Sequence, residues 1–314
     1  MMLARVADSL YWIGRYVERA EHVSRLSDIM LTATLDQNEA AIDVAHVALA
    51  AVGEAVEDAA QRNALEAVHN LVFNREDEGS VVTSLSRCRE NARQVRDQIT
   101  TEMWERLNLL YLRVTGPDAE HAFAQQSSAF LHGVIADLHL FKGATDATMN
   151  HGEGWRFLLL GVYLERAQLI ARLLDVCFSE DADRPPLSDH LTQMAVLRMA
   201  CALEPYLRVY TAELEPRHLL EFLMFDEEFP RSIRFSTLRM EEHLTGLARA
   251  THSFGHSGPE RLAGRLSARL EFADLDEDQG AGPLLSAVVA ECSRIHLAVY
   301  ETFVAYPLEL RLPA

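Results

Sequence analysis

The chain of 314 residues lacks the marks of a membrane or secreted protein. Apolar residues make up 49% of it. No run of about 18 apolar residues stands out, so we do not expect a helix that crosses a bilayer. Arg5, Asp8, Arg15 and Glu18 lie where a secretion signal needs an uninterrupted apolar stretch. The first residues therefore do not resemble such a signal.

Cysteine and positive charge are also scarce. Lys and Arg total 29 against 47 Asp and Glu, which gives a net charge of −18. That charge repels phosphates and anionic lipids, so neither nucleic acid nor a membrane surface is an expected partner. The few thiols form no CxxC pair, so we expect buried, reduced cysteines and a cytoplasmic protein. They are Cys88, Cys177, Cys201 and Cys292.

Proline is absent from the first 116 residues, and β-strand patterns are nearly absent from the whole chain. Only residues 79–83 have a β-like composition. Apolar residues recur every three or four positions, which is the spacing of one helix face. The sequence therefore predicts an all-α protein, a bundle of long helices, with a first break at Gly116 and Pro117.

An internal duplication is the strongest pattern in the sequence. Residues 14–20 (GRYVERA) match residues 161–167 (GVYLERA) at an offset of 147. A weaker match at an offset of 152 relates residues 73–90 to residues 225–242. We predict a first helical repeat over 1–116 and a second, with extra helices, over 117–314. The two repeats would form one compact unit about a pseudo-twofold axis, because each presents the same apolar face.

Charged residues lie inside the apolar face of both repeats, and an unpaired buried charge is costly. Two interpretations remain open. The charges form a buried ion-pair network that joins the repeats, or they line a polar pocket for a peptide or an acidic small molecule. In the second case Glu18, Arg25, Glu165 and Arg172 line the pocket. The candidate binding residues of this charged seam are Arg15, Glu18, Arg19, Glu21, Arg25, Glu165, Arg166 and Arg172.

Two further segments are candidates for binding an anion. Asn91, Arg93 and Arg96 lie in an arginine-rich stretch that could grip a carboxylate or phosphate, or form an exposed, salt-bridged helix. The second segment is a turn around Pro230, from Asp226 to Ser232, in which Ser232 is expected to cap the next helix. Arg231 precedes that helix, where the dipole favours anions, so it is expected to help bind one.

A di-metal site is a weaker alternative. Four-helix carboxylate proteins use one Glu from each of two helices and Glu-x-x-His from the other two. Glu18 and Glu165 would be the single glutamates, and the pairs would be Glu66 with His69 and Glu215 with His218. Pro216 starts a helix beside Glu215, and Arg19 and Arg166 neutralise the single glutamates, so no metal or other cofactor is predicted.

The motifs in their order resemble those of the bacterial alpha-E family. They are residues 9–21 (SLYWIGRYVERAE), 89–97 (RENARQVRD), 103–108 (MWERLN), 154–157 (GWRF), 165–167 (ERA) and 229–232 (FPRS). The resemblance spans nearly the whole chain. It implies a helical protein encoded beside, or fused to, a circularly permuted ATP-grasp protein, often with a transglutaminase-like peptidase. Two departures are Gln168, where the first repeat has Glu21, and the histidines at 69 and 218.

The resemblance implies a system that makes or modifies peptides by ATP-dependent amide-bond formation. This chain carries no ATP-grasp part, so we expect an accessory subunit that holds the partner ligase or its peptide substrate. The alternative is an enzyme of the same pathway, in which burial raises the pKa of Glu18 or Glu165 and makes it an acid or base. Self-association into a homo-oligomer stays open.

Overall fold

The structure is a computed structural model that describes residues 2–34, 39–53, 64–178, 187, 189–210, 214–252, 258–273 and 281–305. These residues form fourteen α-helices and no strand, which confirms the all-α prediction. The first seven are α1 Ala4–Thr34, α2 Glu39–Ala51, α3 Ala64–Phe73, α4 Val81–Gln94, α5 Thr101–Thr115, α6 Ala119–Gln125 and α7 Ser127–Thr148. The others are α8 Glu153–Phe178, α9 His190–Met199, α10 Leu203–Tyr210, α11 Pro216–Phe225, α12 Ile233–Thr251, α13 Pro259–Glu271 and α14 Gly282–Val299. A π-helical turn, Tyr300–Val304, follows α14.

The β-like segment at residues 79–83 is the start of a helix instead. Ser80 lies before the first turn of α4, and its hydroxyl accepts the backbone N–H of Thr83. This cap satisfies a donor that would otherwise lack a partner at the helix end. The valines that suggested a strand, Val81 and Val82, are buried by the packing of α4 on α1. Tertiary packing therefore outweighs their β propensity.

The two longest helices, α1 and α8, cross at the centre of the molecule with their backbones in close contact. A Cβ atom placed on Gly14 would lie 2.0 Å from the carbonyl oxygen of Leu158. One placed on Gly161 would lie 2.0 Å from the carbonyl oxygen of Tyr11. No side chain fits at either glycine, so both are required for this crossing. The contacts are reciprocal, since each glycine meets the residue three positions before the other.

The remaining long helices pack in the same order around α1 and around α8. In the first group α4 packs on α1 and α5, and α7 packs on α5 and α1. In the second group α12 packs on α8 and α13, and α14 packs on α13 and α8. The pseudo-twofold axis and the boundary after residue 116 stay predictions.

One helix in the described residues, over Gly282–Val304, is long and apolar enough to cross a membrane by length and composition. An 18-residue window of this helix has a mean hydropathy of 1.2, and 33% of that window is buried. A core helix of a soluble protein meets the same criterion, and α14 packs on α8 and α13. The helix is thus weak evidence for a membrane, and the fold is compatible with a soluble protein.

Candidate functional site

The crossing of α1 and α8 places two groups of charged side chains at the centre of the molecule. Each glutamate of the duplicated Glu-Arg pairs binds the arginine of the other pair. Glu18 accepts from Arg166, with 2.7 Å between Nε and Oε1, and Glu165 accepts from Arg19, with 2.7 Å between Nε and Oε1. The predicted ion-pair network between the two helices is therefore present. We name the first group the Glu18 cluster: Glu18, Glu21, Arg25, Lys142, Arg166 and Arg231.

Glu18 is completely enclosed by cations from three other elements of the fold. Arg166 of α8 binds both carboxylate oxygens, at 2.7 Å and 2.9 Å. Lys142 of α7 donates to Oε2 at 2.5 Å, and Arg231, just before α12, donates to Oε1 at 3.2 Å. Only 1% of Glu18 is exposed. The bidentate contact is the strongest geometry available to an arginine and a carboxylate.

Glu21, one helical turn further along α1, has its own set of donors. Lys142 donates to Oε2 at 2.5 Å, and Arg25 donates to Oε1 at 3.0 Å. Arg231 and His139 also bind Oε1, His139 at 3.0 Å. Four cationic side chains of this cluster thus face two carboxylates, and the cluster carries an excess of positive charge.

The electrostatics of this cluster contradict the prediction of a raised glutamate pKa. Burial alone would raise the pKa of Glu18, but Arg166, Lys142 and Arg231 outweigh it and lower that pKa far below its ordinary value. Glu21 and Glu165 are also buried, and their neighbouring cations likewise lower the pKa of each carboxyl. These glutamates are ionised at neutral pH. They are poorly suited to act as general acids, because a general acid needs a pKa near the working pH.

The second group surrounds an open space that we name the Glu165 cavity. Glu165 accepts from Arg15 at 2.5 Å and from Arg19 at 2.7 Å, and Arg15 also donates to Gln168 at 2.9 Å. Beside them lies a cavity of about 240 Å³. Arg172 is exposed at its edge and makes no hydrogen bond or ion pair with any described residue. The lining residues are Arg15, Arg19, Val23, Val52, Leu71, Asp77, Gly79, Glu165, Gln168, Leu169 and Arg172.

The pocket of the second interpretation is not lined by all four residues proposed for it. Glu165 and Arg172 line the Glu165 cavity, whereas Glu18 and Arg25 do not. The reason is that Glu18 and Arg25 take part in the other cluster, where Arg25 pairs with Glu21 at 3.0 Å. Asp28 does not pair with Arg25, since its carboxylate accepts from Ser128 at 2.5 Å and binds the His132 ring at 2.8 Å.

The arginine-rich stretch of α4 uses its charges locally. Arg93 pairs with Glu90 on the exposed surface, with 2.8 Å between Nη2 and Oε1. Arg96 lies 5.7 Å from the centre of the Trp104 ring and donates to a backbone carbonyl at 3.4 Å. The half-buried Asn91 side chain makes no hydrogen bond with any described residue. This arrangement matches the alternative of a salt-bridged helix.

The turn from Asp226 to Ser232 is mainly structural. A carboxylate oxygen of Asp226 accepts two backbone N–H groups of the turn, at 2.9 Å and 2.7 Å. Ser232 caps α12, as expected, by accepting the N–H of Phe235 at 2.9 Å. Arg231 is the one of these three residues that reaches the Glu18 cluster, and the anions it binds are the carboxylates of Glu18 and Glu21.

The four weaker metal candidates do not come together in one place. His69 is 3.6 Å from Glu120, and His218 is 3.5 Å from Glu215. Glu66 is exposed on α3. Within the described ranges, no group of three or more His, Cys, Asp or Glu side chains is placed to hold a metal. The four-helix di-metal arrangement therefore does not form there.

Sequence reasoning missed Lys142, His139 and His22. Lys142 and His139 come from α7, which has no counterpart in the duplicated motifs, and His22 lies within α1. Lys142 is the only lysine of the chain, among 29 Lys and Arg residues. This rarity makes Lys142 unusual, but nothing in the local sequence indicates that it lies beside Glu18. Only the packing of α7 on α1 does so.

Comparisons with known proteins agree with the helical fold. A family model named Alpha-E, described as a predicted alpha-helical domain with a conserved ER motif, matches residues 2–304. The uncharacterized proteins Mb2597 of Mycobacterium bovis and Rv2567 of Mycobacterium tuberculosis are each 25% identical over 296 residues. The match covers 87% of this chain and 33% of each relative, so the chain spans about a third of their length. No solved structure matches the chain.

Proposed function

The chain belongs to the Alpha-E family, and from that premise we propose that it is a binding subunit of a cytoplasmic peptide-synthesis or peptide-modification system. In this role it works with a circularly permuted ATP-grasp protein and holds that ligase or its peptide substrate. A transglutaminase-like peptidase is a further partner in the same proposal. The resemblance of the sequence motifs to this family supports the choice of partners.

One observation carries the preference for binding over catalysis. The glutamates of both Glu-Arg pairs are buried, ion-paired and held ionised, whereas the Glu165 cavity beside them stays open and polar. The oxygens of a buried carboxylate with two or more cationic partners are already occupied by hydrogen bonds. Its pKa is also too low for proton transfer near neutral pH. An open cavity with Arg172 at its edge, an arginine that has no carboxylate partner among the described residues, has what recognition of an anion requires.

The relatives support a role beside other domains. Their chains are about three times as long as the part that this protein matches. In these relatives the matching region is therefore joined to further residues in the same chain. In our proposal the corresponding parts are separate chains that associate. A high local concentration of ligase and binding subunit is the physical benefit of either arrangement.

The test is co-purification with the circularly permuted ATP-grasp protein encoded nearest to this chain, followed by ATP turnover with and without it. We expect a stoichiometric complex by light scattering and a changed turnover rate. Arg172→Glu should reduce the change in turnover. Arg249→Glu is the matched control, because Arg249 is an exposed arginine of α12 that does not line the cavity. If no complex forms and the turnover rate does not change, the proposal is wrong.

A further inference from the structure

We propose that the Glu165 cavity binds a carboxylate group of an acidic peptide or amino acid, with Arg172 as its counter-ion. This inference rests on the proposed binding role and names the chemical class of the ligand. It comes from a comparison of the Glu165 cavity with the Glu18 cluster. Matching helix positions and loops surround the two sites. Side chains of the protein fill the Glu18 cluster, whereas the Glu165 cavity is open.

Two loops define that equivalence. Residues 74–80 precede α4, and residues 226–232 precede α12, at the offset of 152 seen in the sequence. The first side chain of each loop accepts the backbone N–H two positions later, at 3.0 Å for Asn74 and 2.9 Å for Asp226. Both loops therefore begin with the same side-chain turn.

The loops also end in the same way. Ser80 and Ser232 both cap a helix, accepting the N–H three positions later at 3.2 Å and 2.9 Å. The N–H of each serine donates to the carbonyl three positions earlier, at 3.3 Å and 3.0 Å. The residue just before the serine is Gly79 in one loop and Arg231 in the other. These two residues therefore occupy matching places at the ends of their loops.

The difference between Gly79 and Arg231 decides whether the space is occupied. The Arg231 side chain fills the Glu18 cluster and binds Glu18 and Glu21. Gly79 has no side chain, and it lines the open Glu165 cavity. The chain thus blocks one of the two sites with its own guanidinium group and leaves the other open.

A second difference leaves an arginine of the open site without the carboxylate that its counterpart has. On α1, Glu21 accepts from Arg25 at 3.0 Å. At the offset of 147 the corresponding residues on α8 are Gln168 and Arg172. Gln168 is neutral and accepts from Arg15, so Arg172 has no carboxylate among the described residues. A ligand carboxylate would supply the negative charge that Glu21 supplies in the Glu18 cluster.

The charges and the size of the cavity agree with this ligand. Arg15, Arg19 and Arg172 outnumber Glu165 and Asp77 among the lining residues, in a chain whose net charge is −18. Guanidinium groups recognise carboxylates with two parallel hydrogen bonds. The volume of about 240 Å³ is below the ~300 Å³ at which drug-sized pockets begin. It suits one acidic side chain or chain terminus.

Calorimetric titration of the whole chain with N-acetyl-L-glutamate tests the inference. The matched probe is N-acetyl-L-glutamine amide, which has the same shape and no carboxylate. We expect binding of the acid only, and a loss of about tenfold or more in affinity in Arg172→Gln, the size of one charge-assisted hydrogen bond. Arg249→Gln should bind as the unsubstituted chain does.

A second variant separates loss of binding from loss of folding. Gln168→Glu places a carboxylate beside Arg172, as Glu21 lies beside Arg25, and should abolish binding while raising the melting temperature. Equal binding of the amide probe, no binding of the acid, or unchanged binding in Arg172→Gln would each overturn the inference. Because the titration needs no ATP-grasp protein, its outcome is independent of whether the proposed complex forms.

Discussion

The Glu18 cluster and the Glu165 cavity arise from matched positions of α1 and α8, but they differ in what fills them. Both contain a glutamate of a Glu-Arg pair that binds the arginine of the other helix. The Glu18 cluster is closed by Arg231 and by Lys142, which bind two carboxylates. The Glu165 cavity has Gly79 and no equivalent lysine among its lining residues, and it remains open.

The comparison shows how a duplicated framework can take on two roles. Ion pairs in the closed site connect α1, α7, α8 and the turn before α12, so that site joins the parts of the fold. The open site keeps the crossing and the Glu-Arg contact but has no counterpart of Arg231 or Lys142 among its lining residues, which leaves room for a ligand. The closed site should therefore contribute more to stability, and the open site more to binding.

The largest expected effect is on unfolding free energy when a buried carboxylate is removed. Glu18→Gln leaves Arg166, Lys142 and Arg231 short of a negative charge, so it should cost about 3–5 kcal/mol. Glu165→Gln should cost less, about 1–3 kcal/mol, because Arg15 keeps Gln168 as an acceptor and Arg19, which is 20% exposed, can reach water in the cavity. Urea denaturation of both variants measures the difference. Equal costs would contradict the division into a structural and a binding site.

The helix crossing should matter equally to both sites. Gly14→Ala and Gly161→Ala each force α1 and α8 apart, since the new Cβ would lie 2.0 Å from a carbonyl oxygen, and each should cost about 3 kcal/mol. Gly143→Ala in α7 is the control, because nothing lies within 4 Å of its Cβ position. That substitution should be neutral or stabilise by up to about 1 kcal/mol. A large difference in stability loss between Gly14→Ala and Gly161→Ala would contradict the equal importance of the two glycines for the crossing.

The fold was predictable from the sequence because helical periodicity is a local signal. The duplicated Glu-Arg motif also predicted that charged residues would lie at the centre, and the pair of Glu21 with Arg25 follows from their spacing of four. The partners of Glu18 were not predictable. Lys142 and Arg231 are 124 and 213 positions away from it in the chain, and only tertiary packing brings them near. The pKa of Glu18 was misjudged for the same reason.

A smaller effect concerns the pH dependence of stability that arises from His22, which is buried on α1 near the closed site. Burial and the nearby Arg231 lower the pKa of His22 to about 4, whereas the unfolded chain has a value near 6.5. Between these values the unfolded state binds more protons, so stability falls as the pH falls. From pH 7 to pH 5 the loss from this group should be about 2 kcal/mol. His22→Leu, which copies Leu169 in the open site, should remove that part of the decline in urea unfolding.

The contribution of His22 can be isolated because the other titratable groups contribute equally to the pH dependence in the unsubstituted chain and in His22→Leu. His243, whose pKa burial also lowers to about 4, keeps its own contribution in the variant. The measure is therefore the difference in unfolding free energy between pH 7 and pH 5, compared between the unsubstituted chain and His22→Leu. An unchanged slope would mean that His22 is not held neutral in the folded state.

The smallest expected effect follows from the excess of cations in the Glu18 cluster. Lys142→Met removes one positive charge, but Glu18 keeps Arg166 and Arg231, and Glu21 keeps Arg25 and Arg231. No charge is left without a partner, so the cost should be about 1 kcal/mol, well below that of Glu18→Gln. Urea denaturation beside Glu18→Gln tests this order. An equal loss of unfolding free energy in Lys142→Met and Glu18→Gln would contradict this order. It would mean that Lys142 of α7, rather than Arg231, is the cation on which the cluster depends.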